Sequence, residues 1–419
     1  VTPSRRLSTP LVSLALVALG AAACSGGSDT AGSGSSVAPS SAAPSSAGSV
    51  TIAVGGPFSG SEKGTGDQIQ AGAKLAVDQI NKAGGITAGP RKGAMLELKP
   101  FDDADDPAKS ASTVRDMISD SSIVGFVGSG LSDGAIAAAP IASRANFPYL
   151  SAYASSEKIL AAATGSKSVF VVAPTFPAYA ISVTDELIAA GRKRVAVLHL
   201  MGTYGEGIAK YVDSRLKEAG LTPVSESTFT FTDTDFRTQL AKAKAAKPDA
   251  LVMVGLPDSD ASILKQASML GLKVPAYDPG GITNSDTFLK NAGALAEGVV
   301  GNSPSDIQRN TPAATALRTD YKTATGESVV PDPAAFAYEG VEAIAAAFAD
   351  GATGRDDLAA HLHAIKIDDT GVGPLSFAAD GSRIGGILYV FTIKNGVPVF
   401  TAGYQQTDPT AVTKVALQH

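Results

Sequence analysis

Apolar positions along this chain recur with two alternating periods. Residues 50–57 (VTIAVGGP) form an unbroken apolar run ending in glycines and proline, the pattern of a parallel strand buried on both faces. Ile69, Ala73, Ala76, Val77 and Ile80 then fall at helical spacing, and Gly84 and Gly85 end that helix. A strand over 95–101 precedes a helix opened by Asp106 and Pro107, an acidic cap with proline in the first turn. A strand over 123–128, a helix over 135–144 and a strand over 147–152 follow. A second series begins near Pro174, with a helix over 178–190, a strand over 194–200 and a helix over 206–219. It continues with an alternating, edge-like strand at 222–230, a helix at 235–246, a strand at 250–256, a helix at 261–270 and a strand at 274–279. Helices are predicted at 312–325, 334–349 and 356–365, then a pair of strands punctuated by glycine over 375–393. Two strand–helix series of similar length predict an α/β protein of two doubly wound lobes.

Composition agrees with that picture. The chain has 419 residues, too many for one ordinary core, and its 44% hydrophobic and 18% charged residues describe a globular protein. Tryptophan is absent and aromatics reach only 6%, so the interior must be built from Ala, Val, Leu and Ile. A net charge of −6 with no basic run argues against a nucleic-acid surface, which needs clustered cations.

The single cysteine sits in an informative place. Arg5 and Arg6 precede an apolar run over 11–20, and Ala21, Ala22 and Ala23 lead directly into Cys24. The run is too short to span a bilayer, which takes about 20 residues. The pattern is similar to a bacterial lipoprotein signal over 1–23, with the lipid carried on Cys24, although Ala21 stands where leucine is usual. The other reading is an ordinary secretory peptide with an incidental cysteine. Residues 24–49, rich in Ser, Gly and Ala, read as a flexible tether with a mean span of about 25–30 Å. That places a globular head at the outer face of a cell membrane.

In open α/β sheets, ligands bind beyond the carboxyl ends of the strands. Here those loops are 55–66, 129–135, 152–156, 201–205, 256–260 and 278–285, rich in Gly, Ser, Thr and Asp. The first contains Gly64-Thr65-Gly66. It lacks the third glycine of a dinucleotide loop, where Ile69 stands, but offers the Thr65 hydroxyl to a ligand. Gly130-Leu131-Ser132-Asp133-Gly134 matches the nucleophile elbow of serine hydrolases. Three readings of Ser132 stand side by side: anion ligand at a helix start, plain helix cap, and nucleophile. A nucleophile needs a histidine; only His361, His363 and His419 follow in plausible order, the first two within a helix, and no His-Gly-Gly stretch precedes the serine. Asp102, Asp103, Asp105 and Asp106 could bind Ca²⁺, but without the glycine and terminal glutamate of an EF-hand they read better as caps of the next helix.

Several blocks, in order, carry a family resemblance. They are GDQIQAGAKLAVDQINKAGGI (66–86), FDDADDP (101–107), TYGEG (203–207), ILKQASMLGL (263–272), LAEGVV (295–300) and GPLSF (373–377). Over 50–399 the chain resembles the leucine/isoleucine/valine-binding proteins, substrate-binding components of ABC importers. The resemblance implies the type I periplasmic-binding fold, two lobes that close like a flytrap about a three-strand hinge. It places 50–173 with 300–375 in one lobe and 174–299 with 376–419 in the other, crossing near 172–174, 299–302 and 374–377. It implies no enzymatic activity and no cofactor; the partners are a small ligand and the permease and ATPase of an importer.

By motif, Ser132 and Ser155 match hydroxyls that hold the ligand carboxylate, and Tyr153 falls where a backbone group assists. Tyr204 matches an aromatic of the second lobe over the ligand, and Phe336 an apolar wall. The family's amino-acid binders set a glutamate against the ligand ammonium. Here that loop reads Asp278-Pro279-Gly280-Gly281, with Gly280 at the glutamate position and Leu256 where an assisting tyrosine falls. Asp278, Asp133 and Glu339 are the acids considered as replacements. Cysteines that form a disulfide in some members are Ala104 and Leu131 here. The expected ligand is an amino acid or a related organic acid or amide, and the lost glutamate favours one without an ammonium. Alternative functions are a lipid-anchored serine hydrolase using Ser132, or a sensory receptor module.

Overall fold

The computed structural model describes residues 48–304 and 309–417. The leader, Cys24 and all but the end of the tether lie outside them. Five strands form the first sheet: β1 (Ser49–Gly56), β2 (Met95–Asp102), β3 (Ile123–Gly128), β4 (Tyr149–Ser151) and β5 (Val169–Val171). All pair in parallel, in the order β2-β1-β3-β4-β5. Between them run α1 (Lys63–Lys82), α2 (Pro107–Ser119), α3 (Ser132–Arg144) and α4 (Glu157–Ala162). Apolar strand residues point to both faces: Val50, Ile52 and Val54 pack on α1, while Ala53 and Phe126 belong to the core under α2 and α3. This is the both-faces-covered pattern that continuous apolar strands require.

The second lobe repeats the winding. Its elements are α5 (Phe176–Ala189), β6 (Val195–Leu200), α6 (Thr203–Glu218), β7 (Ser225–Phe229), α7 (Arg237–Ala245), β8 (Ala250–Val254), α8 (Pro257–Met269), β9 (Ala276–Asp278), α9 (Asp286–Ala292) and β10 (Val300–Ser303). The parallel part runs β7-β6-β8-β9-β10, the same order as the first sheet. β7 pairs only with β6, the edge place its alternation predicts.

The chain then returns to the first lobe through α10 (Pro312–Thr325), α11 (Asp332–Asp350) and α12 (Arg355–Ala364). Ala334, Val341, Ile344 and Phe348 share one core with Ile69, Ala73 and Ala76 of α1. A Cβ at Gly72 would lie 1.9 Å from the Ala334 carbonyl oxygen, so the two helices touch backbone to side of backbone there. A small ladder of β11 (Ser376–Phe377) and β12 (Arg383–Ile384) leads into β13 (Ile387–Lys394), β14 (Val397–Asp408) and β15 (Ala411–Val415). These last three extend the second sheet antiparallel from β10, giving eight strands.

Three expectations are corrected. β10 pairs with β9 and β13, so 300–303 belong to the second lobe rather than the first. The region 375–393 is not one strand pair: its first part is the short β11–β12 ladder, and β13 pairs with β14. α3 begins at Ser132, the helix start read for that residue, so the span of 135–144 read from apolar spacing is three residues short. No helix among the described residues is long and apolar enough to cross a membrane.

Candidate functional site

The carboxyl ends of the two sheets face each other across a cleft of about 610 Å³, within the size range of small-molecule sites. The first lobe contributes Thr65, Ser132, Asp133, Tyr153, Ser155 and Asp332, and the second contributes Tyr179, Tyr204, Gly280 and Asn284. The structure therefore brings together Thr65, Ser132, Tyr153, Ser155, Tyr204 and Gly280, six of the eight ligand candidates named from sequence.

Three helix starts converge here. α3 opens at Ser132 behind Leu131, α6 at Thr203 behind Gly202, and α11 at Asp332 behind Pro331. None has a side-chain cap, so first-turn amides keep hydrogens to offer, and each helix dipole turns its positive end to the cleft. The Ser132 hydroxyl, on a residue only 6% exposed, makes no hydrogen bond to another described residue. Ser155 is likewise buried and lines the cleft.

Two candidates do not reach the cleft. Phe336 is fully buried in the core of the first lobe; Pro331, Asp332 and Pro333, a turn earlier on α11, line the cleft in its stead. Asp278 is fully buried too, and its carboxylate accepts hydrogen bonds from the amides of Gly280 (2.6 Å), Ile282 (2.9 Å) and Thr283 (2.9 Å). It shapes the 278–283 loop. Glu339 is equally occupied: Arg383 binds it at 2.5 and 3.0 Å, deep between the lobes. Of the three acids considered as replacements, only Asp133 faces the ligand space.

Gly280 explains its own identity. A Cβ there would lie 2.2 Å from the Tyr204 hydroxyl, which donates to the Gly280 carbonyl at 3.1 Å. The tyrosine fills the space that a side chain at 280 would need. Tyr204 in turn packs edge-on against Phe176, with centroids 6.1 Å apart.

The lobes also touch directly. The Thr203 hydroxyl donates to Asp133 Oδ1 at 2.5 Å, and the Tyr211 hydroxyl donates to Glu157 Oε1 at 3.0 Å. The aspartates of 102–106 are used locally: Asp102 accepts from the Phe58 amide and Lys109 Nζ, and Asp106 caps α2 through the Lys109 amide at 2.9 Å.

Asp105 stands apart. Burial, together with the charges of Glu62, Asp103, Asp133 and Asp106, pushes its carboxyl up to about 7. Because the folded state holds this proton more tightly than the unfolded chain, the group lowers stability progressively as pH rises from about 4 to 7. Asp105 also has φ of 60°, a conformation asparagine tolerates well. Asp105→Asn should therefore raise the melting temperature at pH 8 and change it little at pH 4; equal shifts at both would contradict charge crowding.

No imidazole serves Ser132 among the described residues. His199 contacts the Leu200 carbonyl and Glu226, His361 contacts Asp350, and His363 contacts the Lys167 carbonyl. None of these lines the cleft, so among the described residues the hydrolase alternative has no imidazole base beside Ser132; His419 lies outside them. Sequence reading missed Asp332, Tyr179 and Glu62, all cleft-lining. Pro331-Asp332-Pro333 at a helix start was the available signal.

Residues 49–398 match the model of a family described as periplasmic binding protein. Leu/Ile/Val-binding protein homolog 3 of Brucella melitensis is 28% identical over 339 residues, covering 79% of this chain and 88% of that one. Among solved structures, the branched-chain amino acid transporter substrate-binding protein LivJ from Streptococcus pneumoniae, in complex with isoleucine, superposes with a TM-score of 0.74. It is 26% identical and covers 88% of this chain and 100% of that one. A solute-binding protein of an ABC transporter from R. palustris, in complex with benzoate, shares the fold at 19% identity. Its TM-score is 0.75, with 88% of this chain and 98% of that one covered.

Proposed function

The chain belongs to the periplasmic binding protein family, and on that premise we propose that it captures a small carboxylate-bearing ligand between its lobes and passes it to an ABC permease and ATPase. Its relatives are solute-binding proteins, not enzymes, and the resemblance read from its sequence to the leucine/isoleucine/valine-binding proteins is borne out. The proposal extends to a lipid anchor on Cys24 that keeps the head at the outer face of the membrane.

One observation carries the reading. Ser132, Ser155 and the open start of α3 lie on one side of a cleft whose other side carries Tyr204 and Gly280. A carboxylate fits that first side. Each hydrogen bond to it contributes about 1.5–3 kcal/mol, and the helix dipole adds to these. Closure follows by population shift, because a ligand bound by both lobes favours the state in which they meet.

The direct test is a thermal-shift screen of amino acids and related organic acids, since a ligand that binds only the folded state raises its melting temperature. A screen with no stabilising member would sink the proposal. The Thr203–Asp133 contact offers a finer check, because it forms only when the lobes meet. Thr203→Val should weaken binding of the best ligand by about two- to tenfold, the range of one ordinary hydrogen bond. Unchanged affinity in calorimetry would remove this contact from the closing mechanism.

A further inference from the structure

The charge of the cleft is one-sided. Glu62, Asp105, Asp133, Asp233, Asp258 and Asp332 line it, and among the described residues that do so there is no lysine, arginine or histidine. A ligand carrying only negative charge would meet no counter-charge beyond helix ends and hydroxyls. An acidic lining alone names no site, because acids at helix starts also complement the dipole. The individual carboxylates differ, however. Asp133 accepts from Thr203 at 2.5 Å, Asp258 from Asn291 at 2.5 Å and Asp233 from the Thr230 amide at 2.7 Å. Glu62 accepts a long bond from Thr65.

The Asp105 carboxylate accepts no described hydrogen bond, but it is only half-buried and is crowded by other acids. Asp332 is the buried exception. It is 5% exposed, lines the cleft, and among the described residues its carboxylate accepts one hydrogen bond, at 3.5 Å from the Ser303 hydroxyl to Oδ1. Oδ2 has no described partner and approaches the opposite loop: a Cβ on Gly281 would lie 3.2 Å from it and 2.9 Å from the Tyr179 ring. Tyr153, Tyr179 and Tyr204 line the same space. An isolated carboxylate buried this deeply is costly unless something positive joins it, and burial raises its proton affinity well above the ordinary carboxylate range. Tyrosine faces attract cations as well.

We propose that Asp332, with Tyr153, Tyr179 and Tyr204 around it, receives the positively charged group of the ligand, so that the protein selects ammonium-bearing molecules over carboxylates that lack one. The inference depends on the cleft being the ligand site, as proposed above. It relocates the cation-binding function to the first lobe, across from Gly280, where Tyr204 leaves no room for a side chain. It also reverses the expectation that a missing acid at 280 means a ligand without an ammonium.

The test is calorimetry on the full chain with matched probes: a panel of L-amino acids, glycine betaine, and for each the carboxylate without the amino group. For leucine the partner is 4-methylpentanoate. At least one ammonium-bearing probe should bind at least tenfold tighter than its deaminated partner, and Asp332→Asn should weaken that binding at least tenfold. The variant's own melting temperature should be unchanged or raised, because it removes a buried charge. Deaminated probes binding as tightly as their partners, or unaltered binding by Asp332→Asn, would overturn the inference while leaving the ligand cleft in place. The wild-type comparison alone decides the matter should the variant fold poorly. Silence from every probe would overturn this inference and the binding function with it.

Discussion

Arg383→Ala is expected to cost about 3–5 kcal/mol of folding stability, the penalty for stranding one member of a buried ion pair. Arg383 and Glu339 are 2% and 0% exposed. The guanidinium binds both carboxylate oxygens, at 2.5 and 3.0 Å. It also donates to the carbonyls of Val172 at 2.9 Å and Pro374 at 2.8 Å, while Thr370 donates to the carboxylate at 2.6 Å. Alanine would leave Glu339 without a counter-charge in the protein interior, held only by Thr370, and would take a donor from two carbonyls. Denaturant unfolding reads the loss directly. Replacing both partners, as Arg383→Met with Glu339→Leu, should recover much of it, because buried pairs exchanged for apolar residues are often neutral. A single-variant loss below about 1 kcal/mol would mean that water reaches the pair in solution and relieves the charge.

Ser132→Ala should weaken ligand binding by about ten- to a hundredfold, the value of one hydrogen bond to a charged group, and leave the melting temperature of the unliganded protein nearly unchanged. The asymmetry follows from the geometry. The hydroxyl has no described protein partner to lose, yet it sits beside the open amides of α3 on the wall of the cleft. Calorimetry with the best ligand from the thermal-shift screen measures the first effect and a melting curve the second. Full affinity in the variant would remove Ser132 from the site; a large drop in melting temperature would make it a structural residue instead.

Much of the framework was legible because buried parallel strands announce themselves. The apolar runs at β1, β3, β6 and β8 are of strand length and bounded by turn residues, which separates them from buried helix, and glycine-bearing loops follow them at the place where α/β sheets bind ligands. β5 and α4 are too short for periodicity to show. β14 was missed for a different reason: its sequence VPVFTAGYQQTD mixes faces, since one part covers the second core while Gln406 turns inward to hydrogen-bond the Arg383 carbonyl.

Within the site, hydroxyls at loop positions could be found by motif, but a side chain's direction on a helix could not. Phe336 and Asp332 stand one turn apart on α11, and only the packing of that helix on α1 decides that the phenylalanine is core and the aspartate faces the cleft. Asp278 was misjudged because a carboxylate in a glycine-rich loop looks available. Three amides of its own loop claim it.

The same strand order recurs in both halves of the molecule. The residues proposed to meet the ligand, Ser132, Tyr179 and Asp332 among them, stand in the first turns of helices, so in this reading preference is set at the seams of the scaffold. Changing those first turns would alter what is bound without asking either half to fold differently.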